Sequence, residues 1–286
     1  MSEVFVVERE NIVHHLKNLI GERSPFHNEW RNAKTADYIQ SEFERYGLRV
    51  EIDHFSFWGT TYFNLIGHLN YKEDIPITLM AAHFDTVVGS PGADDNASGV
   101  AVLLETVRVI SKLKPHAPIQ FAAFNLEEVL MQGSKHYAKK LRKQKVSLRG
   151  MFSLEMVGFT DKRPGRQKYP PGLKYFYPNV GDFISIVGNF RSQKFLKEFA
   201  HSMKKIPGLG VETLSVPGNG WLVPATRLSD HSPFWDVGYP AVMVTDTAFY
   251  RNPHYHLPTD TFETLDLDFI EKVTKGSIQL LSDISL

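Results

Sequence analysis

With 12 histidines, 32 aspartates and glutamates and no cysteine, this 286-residue chain has a restricted chemical repertoire. Thiolate zinc sites, iron–sulfur clusters, disulfides and cysteine nucleophiles are excluded, so any metal must be held by imidazole nitrogen and carboxylate oxygen. Residues of those types recur in short groups: His83-Phe84-Asp85, Asp94-Asp95-Asn96, Glu127-Glu128, Glu155, Asp230-His231, Asp246 and Tyr255-His256. Each group alone has an ordinary explanation. Asp and Asn cap helices, and an apolar helical stretch begins at Ala97. An acidic doublet such as Glu127-Glu128 is commonly a solvated loop, and His256 alone reads as a loop histidine. Their order on one chain points to a shared site.

The elements that must position these groups can be read from hydrophobic patterning. Residues 8–21 and 28–46 predict two amphipathic helices, the second carrying Ala36, Tyr38, Ile39, Phe43 and Tyr46 on one face. Alternation through Leu48, Val50, Ile52, Phe55 and Phe57 predicts a half-buried strand, with 61–70 as its neighbour. Four nearly continuous apolar runs follow, at 77–82, 119–124, 151–154 and 241–244, the pattern of central strands covered on both faces. Helical stretches at 97–113, 133–142, 195–205 and 268–282 are interspersed among them. The expectation is a three-layer α/β/α fold with a central mixed, mainly parallel sheet, formed by residues 1–286 as a single domain. Segments 157–182 and 206–224, rich in Gly and Pro, read as long surface loops. The four apolar runs lead into His83-Phe84-Asp85, Glu127-Glu128, Glu155 and Asp246. Open α/β sheets bind ligands outside the carboxyl ends of their strands.

Taken together, His83-Phe84-Asp85, the run Gly92 to Gly99, Glu127-Glu128 with Gly133-Ser134, Glu155-Met156-Val157-Gly158, Ser229-Asp230-His231 and Tyr255-His256 resemble the M28 family of zinc peptidases, over about residues 30–284. The resemblance implies a two-zinc centre. His83 and Glu155 would serve one ion, Glu128 and His256 the other, and Asp95 would bridge both. It makes Glu127 the general base and Asp85 the carboxylate that orients the His83 ring, a supporting role common around metal ligands. Glu155 departs from the pattern, since many members place Asp there; the ligand type is the same. Asp94 is the neighbour most easily confused with Asp95, and the residue directly before Asn96 is the one the pattern selects. In the family that residue precedes a cis peptide bond, so Asp95–Asn96 is expected to be cis.

Two ions bridged by one carboxylate, about 3.5–4 Å apart, can polarise a carbonyl and bring a water's pKa to about 7. The implied activity is a zinc-dependent exopeptidase, foremost an aminopeptidase acting on a peptide or small aminoacyl substrate. Tyr255 is a candidate oxyanion donor. A glutaminyl cyclase-like transferase with one zinc, a carboxypeptidase using Arg227 for a substrate carboxylate, and a non-catalytic binding domain are the other readings. Trp221, Phe249 and Tyr250 are candidates for an apolar pocket. Asp230-His231 is expected to anchor a loop and helix beneath the site, His254 to be a loop residue, and His14-His15 to be exposed.

Lys and Arg total 32 against 32 acidic residues, which gives no basic excess for nucleic acid or an anionic membrane surface. No stretch reaches the roughly 18–20 apolar residues of a membrane span. The start, Met1 to Phe5, shows no basic segment followed by an apolar run, so a cytoplasmic protein without a secretory signal is expected.

Overall fold

The computed structural model describes residues 6–70, 72 and 75–285; the segment Met1 to Phe5 lies outside them. Helices α1 (Arg9–Leu19) and α2 (Glu29–Arg45) precede the hairpin β1 (Arg49–Phe57) and β2 (Thr60–Leu69). There follow β3 (Ile77–His83), α3 (Gly99–Leu113), β4 (Ile119–Phe124), α4 (Gln132–Lys143), β5 (Leu148–Glu155), β6 (Phe183–Asn189), α5 (Gln193–Lys204), β7 (Gly210–Val216), α6 (Ser232–Asp236), β8 (Ala241–Thr245) and α7 (Leu267–Ser285). The eight strands form one mixed sheet in the order β1-β2-β4-β3-β5-β8-β6-β7. Its centre, β4-β3-β5-β8, is parallel throughout; β2 meets β4, and β6 meets β8, in antiparallel fashion.

The nearly continuous apolar runs have a simple physical origin. Alternate side chains on a strand point to opposite faces, and both faces of this sheet are covered. Met80, Ala82, Phe121, Phe152, Leu154, Val242 and Val244 share one buried cluster with residues of α1, α2, α3, α5 and α7. Leu79, Ala81, Ala122, Phe124, Met151 and Met243 share the other with Tyr137 and Leu141 of α4 and Phe234 and Trp235 of α6. Layers of helix, sheet and helix result, as expected.

Two expectations need correction. Segment 206–224 is not a plain loop, because Gly210–Val216 forms the edge strand β7, paired in parallel with β6. Its flanking Gly and Pro residues disguise a half-buried strand whose side chains alternate only weakly in burial. His15 is not exposed: it is 2% accessible, with Nδ1 2.7 Å from the Tyr38 hydroxyl. Burial pulls its pKa down to about 3, so the ring is neutral. Segment 157–182 is a long connection between β5 and β6, as read.

Candidate functional site

Parallel strands place their carboxyl ends along one edge of the sheet. His83 is the last residue of β3 and Glu155 the last of β5, two hydrogen-bonded neighbours. β4, on the other side of β3, ends at Phe124, and the chain then turns sharply. Leu126 takes a left-handed φ of 57°, and Glu127 and Glu128 open the next turn. Adjacent side chains of an extended strand would diverge; this turn brings both glutamates to the same place.

Asp95 arrives on the irregular turn Ala93–Ser98 that starts α3. The Asp95–Asn96 peptide bond is cis, as expected. Asn96 fastens the turn to the end of β5 by donating to Leu154 O and accepting from Met156 N. Asp260 accepts the backbone N–H groups of both Asp94 and Asp95, at 2.9 and 3.1 Å. Gly92, at φ 62°, admits no side chain, since a Cβ there would fall 2.3 Å from Asp95 O. His256 has a left-handed φ of 59°. Non-glycine residues in that region concentrate at functional sites.

The candidate ligands converge as two triads that share one residue. His83, Asp95 and Glu155 present ligand atoms within 4.8 Å of one another, and so do Asp95, Glu128 and His256. His83 Nε2 lies 3.3 Å from Asp95 Oδ1 and 3.5 Å from Glu155 Oε2. His256 Nε2 lies 3.2 Å from Asp95 Oδ2 and 3.0 Å from Glu128 Oε2. The two Asp95 oxygens thus face different triads. Glu127 belongs to neither, but its Oε2 is 4.0 Å from His83 Nε2. Asp94 points elsewhere, accepting from Gly158 N and Asn252 Nδ2.

Burial and charge shape this cluster. Burial disfavours a charged His83, yet Glu127 and Glu155, with Asp85 and Asp95, outweigh it and hold the ring well above the ordinary imidazole range. Burial also opposes charge on Asp95, but His256 and His83 keep its carboxyl below the usual carboxylate range. Glu127 is pushed well upward by burial, and the charges of Glu155, Asp230 and Glu128 add to this against the opposing pull of His83. Burial and the Asp95 charge raise Glu128 to about 7.

The donor set fits a pair of metal ions. His83 Nε2, Asp95 Oδ1, Glu128 Oε1, Glu155 Oε2 and His256 Nε2 are buried without hydrogen-bond partners among the described residues. Buried polar atoms are normally satisfied, and a cluster of orphans at ligand spacing needs a cation or ordered water. Three carboxylates against two imidazoles make the cation the better match.

Other expected residues sort clearly. Asp85 lies 3.5 Å from His83 Nδ1 and accepts from Glu127 N and Glu128 N. His231 is buried and bonds Thr226 O through Nε2, and burial lowers its pKa to about 3, consistent with an anchor. Its neighbour Asp230 is buried beside the cluster and raised to about 7 by desolvation. His254 bonds Thr259 within its own loop. Arg227 is committed elsewhere: it pairs with Asp236 at 2.8 Å and covers the Trp221 ring at 3.7 Å. The Tyr255 ring stacks on His256 at 3.7 Å, and its hydroxyl has no hydrogen-bond partner among the described residues. Beyond Glu155 and Tyr255 opens a pocket which Phe249 and Tyr250 line but Trp221 does not. Sequence reasoning missed the roles of Asp260 and Asn96. Asp260 stands in Thr259-Asp260-Thr261, close after His256, and that proximity was its only signal.

An α/β sheet bearing two linked His/carboxylate triads and an adjacent glutamate at its carboxyl edge defines a class, the zinc-dependent exopeptidases of the hydrolases. The chain belongs to peptidase family M28, whose model matches residues 64–281. It is 34% identical over 286 residues to the uncharacterized protein YfbL of Escherichia coli (strain K12), covering 95% of this chain and 86% of that one. It is 28% identical over 216 residues to aminopeptidase YwaD of Bacillus subtilis (strain 168), covering 73% of this chain and 39% of that one. LapA of Legionella pneumophila shares the fold at a TM-score of 0.78 and 21% identity, covering 98% of this chain and 73% of that one. Among the described residues no helix is long and apolar enough to cross a membrane.

Proposed function

We propose that this chain is an aminopeptidase that holds two zinc ions and removes N-terminal residues from peptides. The supporting observation is the pair of triads sharing Asp95, whose inward atoms are buried and unpartnered among the described residues. His83 and Glu155 would hold one ion, Glu128 and His256 the other, with Asp95 between them. Zinc bound there supplies a Lewis acid for the scissile carbonyl and a readily ionised water. Glu127, beside the ligands and in neither triad, would move a proton from the attacking water to the departing amine. Asp85 orients His83, and the Tyr255 hydroxyl donates to the developing oxyanion.

A glutaminyl cyclase-like reaction with one zinc is the second reading. The completeness of both triads favours hydrolysis. A carboxypeptidase loses its candidate anchor, because Arg227 is already paired with Asp236. A binding domain without catalysis has no reason to keep every ligand and the base. The test combines metal counting with turnover. Zinc-replete protein should carry two ions per chain and release amine from aminoacyl amides. One tight ion, together with cyclisation of N-terminal glutamine peptides and no hydrolysis, would overturn the proposal.

A further inference from the structure

The pocket beside the cluster is not uniformly apolar, and strand register shows how its floor is built. Glu155 of β5 pairs with Thr245 of β8, Thr245 with Ser185 of β6, and Ser185 with Glu212 of β7. Paired residues share a face of the sheet, so these four side chains form one row. It starts at a candidate metal ligand and ends at a carboxylate. The next row, Met243, Val187 and Leu214, lies on the same face and is apolar. All the residues of both rows line the pocket.

Glu212 sits at the far end, with no ion pair or hydrogen bond to its carboxylate among the described residues. Tyr169 and Tyr177, stacked at 5.7 Å, line the same pocket, and the Tyr177 hydroxyl bonds the backbone of Thr213 beside Glu212. Burial raises the pKa of Glu212 against a weaker pull from the charge of Lys204. The Glu212 charge in turn adds to the burial that pushes Tyr169 up to about 12. This half-buried carboxylate makes no ion pair among the described residues, although Lys168 also lines the pocket, and so has its oxygens open to an incoming cation. Flanked by aromatic rings, it has the composition of a receptor for a guanidinium or ammonium group.

We propose that Glu212 is a specificity-determining residue, and that this pocket takes the long cationic side chain of an N-terminal Arg or Lys. The proposal rests on the aminopeptidase reading, in which the N-terminal residue's carbonyl lies at the triads. Dimensions agree. Three strand spacings put Glu212 about 14 Å along the row from Glu155. An extended Lys or Arg side chain covers about 6–7 Å of that, and the main-chain atoms and a hydrogen bond at each end supply the rest. Its aliphatic stem would lie along Met243, Val187 and Leu214, which suits side chains that bury their stems and keep their heads polar. A leucine side chain falls short of the carboxylate and gains no contact with it.

The test compares zinc-loaded wild type with Glu212→Gln on Arg, Lys, Leu and Phe aminoacyl amides, and measures calorimetric binding of argininamide and leucinamide. Wild type should turn over the Arg and Lys substrates with the highest kcat/KM and bind argininamide more tightly than leucinamide. Glu212→Gln should lower kcat/KM for Arg and Lys by about 10- to 100-fold, the effect of losing one charge-assisted hydrogen bond. It should leave the Leu value within about threefold and the zinc content unchanged. Preference of the wild type for Leu or Phe, or an equal loss on all substrates in the variant, would overturn the proposal. If nothing is hydrolysed yet argininamide binding depends on Glu212, the pocket assignment stands and the hydrolytic reading fails. Normal hydrolysis of Leu substrates with no advantage for argininamide would instead support hydrolysis and overturn the pocket assignment.

Discussion

One carboxylate oxygen of Asp85, Oδ1, accepts the backbone N–H of Glu127 at 3.1 Å and stands 3.5 Å from Nδ1 of His83. A single buried side chain thereby ties the orientation of a candidate ligand to the placement of the candidate base. The other oxygen accepts from Glu128 N at 3.2 Å, so the acidic turn hangs from Asp85 as a unit.

Asp85→Asn should therefore damage two functions at once. An amide offers one accepting oxygen where the carboxylate offers two, so a buried N–H of the acidic turn loses its partner. We expect about 10- to 100-fold weaker zinc affinity, the usual effect of removing a carboxylate behind a metal-binding histidine, together with reduced turnover at saturating zinc. Competition with a chromogenic chelator measures the first and steady-state kinetics the second. Wild-type values for both would refute the linkage.

Glu127 and Glu128 should separate cleanly despite being adjacent and identical in type. Glu127→Gln keeps shape and removes the base, so turnover should fall by about 10²–10⁴-fold with the zinc content intact. Glu128→Gln should instead cost one bound ion. Elemental analysis beside kcat distinguishes them, and near-normal turnover in fully loaded Glu127→Gln removes that residue from the chemistry.

Chelation should destabilise the fold as well as stop turnover, since the triads pack mutually repelling carboxylates that zinc would neutralise. Ligand at about 1,000 times its Kd stabilises by about 4 kcal/mol, which corresponds to a melting shift on the order of 10 °C for a chain of this size. Calorimetry with EDTA and after zinc restoration measures this. An unchanged melting temperature would mean that the cluster is not a metal site.

Buried His15 gives a pH dependence of known sign. Its folded pKa is lowered to about 3 from 6.5, chiefly by burial. The unfolded chain therefore binds the proton first, and stability falls as pH drops below 6.5. At pH 5.5 the wild type should have lost about 1.4 kcal/mol at this site relative to pH 7.5. His15→Gln, which can still bond Tyr38, should not show that loss. Urea midpoints of the two proteins at both pH values test it, and parallel midpoints would contradict a neutral buried ring.

The layers and the candidate ligands were legible in the sequence for the same reason. Runs such as Ile77–Ala82 and Met151–Leu154 are nearly all apolar because they fill clusters on both faces, and the polar residues that end them stand at the one edge where strands stop. Strand order was not legible. Whether β2 or β5 lies beside β3 depends on how helices cross the sheet, which no single segment encodes. β6 escaped notice behind a loop rich in Pro and Gly, and β7 because an edge strand lacks strong alternation. α6, of five residues, is too short to show a helical period. Glu212 gave no signal either, since its importance comes from pairing with Ser185 of β6 rather than from its own neighbours.

Asp260 offers the sharpest test of how the shared ligand is held. Its two carboxylate oxygens accept the backbone N–H groups of Asp94 and Asp95 separately. Those bonds go to the main chain rather than to a ligand atom, yet they fix the backbone that aims the Asp95 carboxylate at both triads. Asp260→Ala should leave two buried N–H groups unsatisfied, at a cost of about 1–3 kcal/mol each. The metal consequence should differ from that of any single-ion ligand: because Asp95 serves both triads, both zinc ions should weaken together. Glu128→Gln, in contrast, should release one ion and keep the other. Stepwise chelator titration of the two variants gives the comparison, with Asp260→Asn retaining one accepting oxygen and falling between wild type and alanine. Loss of only one ion in Asp260→Ala would show that Asp95 does not serve both sites.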